Sequence, residues 1–197
     1  MKSLKKSLVR LIGVFVLLTF AIIGLFTLTG NSTFAMSDGG QPRLNICNDN
    51  GYPSQMPVAL PGASGCINKQ ITNVGSHSGN LSIRFSAVTN TPGIDGKGDL
   101  GASTEVTAYL DVNSNGIWDA GDIGLNADGT TYTCETPLGY DKLNNYSCVM
   151  WTAVQSLKPS AASTLIINWR VPVTVGNEIQ GDNVTFNNTF VLEDQIR

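Results

Sequence analysis

The chain has 197 residues, a net charge of −3 at pH 7 and only 14% charged side chains. It offers no basic surface for nucleic acid and no charge asymmetry that would select an acidic substrate. Without an export segment about 160 residues remain, enough for one domain around a single hydrophobic core.

The amino terminus reads as an export signal. Lys2, Lys5, Lys6 and Arg10 precede the apolar run Leu11 to Leu28, a basic region followed by a hydrophobic one. At about 18 residues the run is long for a signal peptide and just long enough for a tilted membrane span. Thr33-Phe34-Ala35 sets small residues at the positions a signal peptidase requires before Met36. Residues 1–35 are therefore a signal peptide or a membrane anchor, and residues 36–197 one folded domain. The expected location is extracellular or at the cell surface, with membrane contact only through the amino-terminal segment if it stays uncleaved.

Beyond this segment the helical period is scarce and period-two alternation recurs. Weak strands are expected at Arg43 to Cys47 and Ile67 to Asn73. In Asn80 to Val88, the residues Leu81, Ile83, Phe85 and Ala87 share one face; in Glu105 to Val112, Val106, Ala108, Leu110 and Val112 do. Strong runs follow at Val149 to Leu157 and at Ser163 to Val171, the latter with Leu165, Ile167, Trp169 and Val171 inward. Val184, Phe186, Phe190 and Leu192 continue the pattern, and Asn188 interrupts it with an inward amide that needs a partner or an edge position. Turn clusters separate these runs: Asn73-Val74-Gly75, Thr91-Pro92-Gly93, Asp128-Gly129 and Val175-Gly176-Asn177. Short strands without crossover helices predict an all-β fold, a two-sheet antiparallel sandwich of jelly-roll type with seven to nine strands.

The most specific chemical motif is DVNSNGIWDAGD, Asp111 to Asp122. Asp111, Asn113, Asn115, Asp119 and Asp122 fall at positions 1, 3, 5, 9 and 12 of a calcium loop, Gly116 at the sharp turn, and Ile117 where a main-chain carbonyl binds. Calcium is the expected cofactor on this spacing. An Asp in place of Glu at the last position and two neutral Asn ligands predict modest affinity. The same residues also suit a metal-free loop of Asx turns.

Cys47, Cys66, Cys134 and Cys148 suit an oxidising compartment. Four cysteines allow three pairings; the local one, Cys47 with Cys66 and Cys134 with Cys148, is preferred because each bridge would close a Gly/Pro/Asn-rich loop. No C-x-x-C spacing supports a metal thiolate site. Asn31, Asn80, Asn145, Asn183 and Asn187 each begin an N-x-Ser/Thr triplet. Asn31 would leave with the signal, whereas Asn183 and Asn187 have the parity opposite to Val184 and Phe186 and should face solvent. His77, the single histidine, lies in a turn, no G-x-S-x-G elbow is present, and Glu178 and Glu193 make no recognisable glycosidase pair. The expectation is a protein without catalytic function.

The segments TNVGSHSGNLSIRFS (Thr72 to Ser86), GDLGASTEVTAYLDVNSNGIWDAGD (Gly98 to Asp122) and LIINWRVPVTVGNEIQGDNVTFNNTFVLEDQ (Leu165 to Gln195) resemble the TasA/camelysin family. The most specific part is Trp-x-x-Pro at Trp169 to Pro172 followed by the final Phe-x-Leu-x-x-Gln strand. The resemblance implies an exported jelly-roll domain and, in fibre-forming relatives, assembly by donation of an amino-terminal strand to the next subunit. The partners it implies are copies of the same chain or related matrix subunits, in an extracellular fibre or biofilm matrix. A non-polymerising surface or adhesive module is the alternative, and a camelysin-like secreted peptidase the remote one. The acidic, aromatic segment that such proteins often carry after the signal is replaced here by Gly30 to Ala35, which leaves Met36 to about Asn45 for donation, with Gly39, Gly40 and Pro42 as poor strand residues.

Overall fold

A computed structural model of the chain describes residues 41–47, 54–56, 60–93 and 96–195. The apolar run Leu11 to Leu28, the expected cleavage site after Ala35 and Met36 to Gly40 lie outside the described residues. Among the described residues no helix is long and apolar enough to cross a membrane.

The regular structure of the described residues is almost entirely antiparallel strand: β1 (Leu44–Cys47), β2 (Ser54–Met56), β3 (Ser64–Asn73), β4 (Gly79–Phe85), β5 (Thr89–Thr91), β6 (Glu105–Asp111), β7 (Ile123–Leu125), β8 (Thr131–Thr133), β9 (Asp141–Lys142), β10 (Met150–Leu157), β11 (Ala162–Arg170), β12 (Asn183–Phe186) and β13 (Asn188–Asp194). One short helix, α1 (Leu100–Ser103), is capped by the Asp99 side chain, which accepts the Ala102 N–H at 2.9 Å. Short strands such as β5, β7, β8 and β9 raise the number above the expected seven to nine, because their alternation is too brief to register in sequence.

The largest sheet has the order β1-β3-β11-β6-β7-β8, with β9 pairing the start of β6. Two smaller sheets, β10-β4-β13 and β2-β12-β5, are consecutive parts of the same two strand pairs. Phe85 pairs with Asn188 and Thr89 with Thr185, and between them the Ser86 N–H donates to the Asn187 carbonyl at 2.8 Å while Ser86 Oγ accepts the Asn187 N–H at 2.8 Å. The polar hydroxyl satisfies a main-chain donor at the bend, so the sheet turns a corner without an orphaned group. That corner also ends β4 at Phe85 and leaves Ala87, expected inward, exposed.

One core holds the layers together. From the large sheet come Ile71, Val106, Ala108, Leu110, Leu165, Ile167 and Trp169; from the other side come Leu81, Ile83, Phe85, Trp151, Val184, Phe186 and Phe190. The inward parity expected of the strands at 81–85, 106–110, 165–169 and 184–190 is the parity observed. Phe85 stacks on Phe186 at 5.3 Å and meets Trp151 edge-on at 5.5 Å. The Trp151 indole N–H reaches the Asn126 carbonyl at 2.9 Å, which satisfies the one polar group of a side chain only 1% exposed. β10 is interrupted by a bulge between Trp151 and Gln155, where Ala153 has φ 49°.

Both faces of β6 are buried, not only the one that carries Val106, Ala108 and Leu110. Thr107 is 1% and Tyr109 3% exposed. The reason is the chain beyond β6: Trp118 folds back over Tyr109, with ring centroids 5.3 Å apart, and Tyr132 packs on Trp118 at 5.7 Å. Gly124 has to be glycine here, since a Cβ would occupy the Tyr132 ring position. Burial, then the charges of Asp111, Cys66 and Asp122, push the Tyr109 phenol up to about 12, and burial raises Tyr146 as well. Raised phenol values mean that the fold favours the neutral form: the stabilisation is complete below the ordinary value near 10 and is lost as pH rises from there through the folded values. Circular dichroism across alkaline pH is expected to show cooperative unfolding whose midpoint moves upward in Tyr109→Phe; an unmoved midpoint would rule out Tyr109 as a contributor.

Candidate functional site

The loop Asp111 to Asp122 leaves the end of β6 and returns at β7. Its neck is formed by two buried carboxylates, Asp111 at 0% and Asp122 at 1% exposure. Asp111 accepts the N–H groups of Asn115 at 3.2 Å and Gly116 at 2.6 Å; Asp122 accepts those of Val112 and Asp119, both at 3.0 Å. Asn113 and Asn115 each accept the N–H two residues on, at 3.0 and 2.8 Å, which is the Asx-turn pattern. Their amide nitrogens converge on the Asp119 carboxylate, at 3.2 Å from Asn113 and 2.7 Å from Asn115. Gly116, with φ 79°, makes the turn expected at loop position 6.

All five side chains of the expected ligand set thus meet in one hydrogen-bonded network, with Ile117 at the tip, 64% exposed. Their oxygens are already engaged by N–H groups. Among the described residues, no three Asp, Glu, His or Cys side chains gather where they could hold a metal ion. A calcium ion would therefore draw on Asn113, Asn115, the Ile117 carbonyl and water as well as the carboxylates, in exchange for some of these N–H bonds. Two contacts outside the expected ligand set tie the loop to the sheet: Trp118 packs on Tyr109, and the Ser114 hydroxyl lies 3.0 Å from that of Thr164 on β11.

The cysteine expectation is corrected. Cys66, Cys134 and Cys148 are free thiols, so neither local bridge is formed. Backbone register explains the first: Cys47 lies opposite Gln70 on β3, four residues from Cys66, roughly 13 Å along the strand and beyond the reach of a disulfide. Cys134 follows β8 in the large sheet and Cys148 precedes β10 in the other layer. Burial pushes the Cys66 thiol up.

The remaining candidates are dispersed. Asn145 and Asn183 are exposed, while Asn80 and Asn187 are half-buried, Asn187 because its main chain closes the sheet corner. His77 is exposed, and its carbonyl accepts the Asn73 amide at 2.8 Å. Glu178 and Glu193 are exposed on different elements. A cluster not anticipated from sequence joins Glu105 to Arg170 at 2.9 Å and to Lys142 at 3.3 Å, with Arg170 lying 3.9 Å over the Tyr140 ring. Arg170 is the main reason the Glu105 carboxyl sits below the usual range.

The second candidate is a sheet edge. Among the described residues β13 is paired on one side only. The Phe85 N–H donates towards β10, to the Val149 carbonyl at 2.9 Å, so Phe85 and Asn188 form a non-hydrogen-bonded pair and the N–H and C=O groups of Asn188, Phe190 and Leu192 point away from β4. The strand runs 7 residues without bulge, proline or lysine, and its only charges, Glu193 and Asp194, lie at its end, so most of its length lacks the devices that usually protect an edge. Among the described residues the other sheet edges are short, as at β1 and β8, or bulged, as at β10. Asn188 adds a buried side-chain amide, 5% exposed, with neither its oxygen nor its nitrogen hydrogen-bonded.

Replacing Asp111 with Ala removes the acceptor for two N–H groups and is expected to cost about 2 kcal/mol. The measurement is the urea midpoint, with Trp118 emission shifting as the loop loosens; an unchanged midpoint would show that the carboxylate does not hold the loop closed.

No protein-family model matches the chain, and no curated protein matches it.

Proposed function

We propose that this chain is an exported, non-enzymatic structural subunit of an extracellular fibre or biofilm matrix, a jelly-roll domain that assembles with copies of itself by β-strand addition. The observation that carries this reading is the open edge of β13. Its outward main-chain groups can pair with an extended segment of a neighbouring subunit, and such a segment would run within reach of the unpartnered Asn188 amide. The expected export signal and the family-like carboxyl half support the same reading.

Val191 is 39% exposed on β13, with its side chain turned away from the core. Val191→Lys places a charge on the edge that an incoming strand would have to bury. Negative-stain microscopy of the purified protein is expected to show filaments for the unaltered chain and none for this variant, at nearly equal melting temperature. Filaments in both, or monomers in both, would defeat the reading.

We also propose that the Asp111 to Asp122 loop accepts calcium at millimolar concentration, where the extra ligand bonds offset the lost N–H contacts. Thermal melting is expected to rise with calcium relative to chelator, and the rise to vanish in Asp119→Asn. Melting unaffected by either addition would leave the loop as a hydrogen-bonded turn alone.

A further inference from the structure

At the tip of the Asp111 to Asp122 loop an asparagine stands directly before a glycine, Asn115-Gly116. Such a step can react with itself. The Gly116 main-chain nitrogen, once deprotonated, attacks the side-chain carbonyl carbon of Asn115, and the missing Cβ of glycine leaves the approach open. Both residues are exposed, and a Cβ built on Gly116 would meet nothing within 4 Å, so the five-membered imide that forms has room.

In the closed loop each of the reacting groups is held. The Gly116 N–H, which has to lose its proton, donates to the buried Asp111 carboxylate at 2.6 Å, a charge-assisted bond that keeps hydroxide away. The Asn115 side chain, which has to swing onto the following peptide, is pinned at both ends. Its Oδ1 accepts the Ile117 N–H at 2.8 Å and its Nδ2 donates to Asp119 at 2.7 Å. Reaction therefore requires the tip to open first, and the observed rate is the intrinsic rate multiplied by the open fraction.

We propose that Asn115 is a latent deamidation site whose conversion is gated by the Asp111 carboxylate. In the open loop the Gly116 nitrogen forms a bond to Asn115 Cγ, the Cγ–Nδ2 bond breaks, and ammonia leaves with the proton that the nitrogen gave up. Water then opens the imide at one carbonyl or the other, leaving aspartate or isoaspartate. Water is the sole co-reactant, and nothing is oxidised or reduced. The product cannot close the loop as before. Where Asn115 Nδ2 donated to Asp119 at 2.7 Å, a second carboxylate now faces the first, and the two repel. A rare opening is thereby made permanent. The reaction uses no metal ion and no neighbouring subunit, so it is independent of calcium binding and of strand addition at β13.

The test uses the full-length chain, purified in detergent and aged in mildly alkaline buffer with chelator. Peptide mapping is expected to find slow amide-to-acid conversion and isoaspartate at Asn115, separated by the map from the other Asn-Gly step, Asn50-Gly51. Asp111→Ala should raise the rate roughly ten-fold, and the urea-denatured chain should react faster still. Hydrogen exchange on the unaltered protein gives a readout free of any folding defect in the variant: the Gly116 N–H should exchange slowly although the residue is exposed. Asn115→Asp should melt at a lower temperature in chelator, with added salt narrowing the difference by screening. Equal rates in the unaltered and Asp111→Ala chains, no conversion at Asn115 in the denatured chain, rapid exchange at Gly116, or unchanged melting of Asn115→Asp would overturn the proposal.

Discussion

The register of β11 between β3 and β6 is the constraint on which the rest of the molecule depends. Leu165 lies between Lys69 and Leu110, Ile167 between Ile67 and Ala108, and Trp169 between Gly65 and Val106. A slip of one residue on either side would send the partner's core side chains outward and bring polar ones in. Because β11 is paired with β3 along its whole length and with β6 from Thr164 to Arg170, both slips are penalised together. The loop Asp111 to Asp122 hangs from that ladder, since it springs from the end of β6 opposite Thr164.

Much of this was legible in the sequence because a half-buried strand writes its burial as alternation. The inward faces at 81–85, 165–171 and 184–190 are of this kind. The burial of the outer face of β6 was not legible for a physical reason: Tyr109 and Thr107 alternate with the core residues, but a tryptophan nine residues further along covers Tyr109, and no period records that. Similarly, Ala87 lost its inward place because the chain turns a corner at Ser86, a tertiary event with only one hydroxyl to announce it. Whether a strand has a neighbour is likewise not a property of the strand, so the open edge of β13 became visible only with the sheet order.

The acidic loop and the cysteines illustrate the same boundary between spacing and geometry. Spacing correctly brought Asp111, Asn113, Asn115, Asp119 and Asp122 together and put the turn at Gly116. It left open what their oxygens would face, since an N–H group and a cation are recognised by the same lone pairs. For the cysteines, closeness in sequence suggested local bridges, yet an extended strand carries residues apart by about 3.3 Å each. Once Cys66 and Gln70 share β3, Cys47 cannot serve both.

The continuity of β12 into β13 and of β4 into β5 through the Ser86–Asn187 corner has a mechanical meaning. A strand laid along β13 would transmit tension parallel to the ladder that joins β13 to β4, whose seven residue pairs run from Asn188–Phe85 to Asp194–Gly79. Load applied in that direction is shared by the pairs at once, whereas a pull across the strands would open them one after another. Beyond the corner the same chain is gripped on both sides, by β2 and β5. The carboxyl-terminal strand is thus anchored like a splice, weak to peeling and strong along its length.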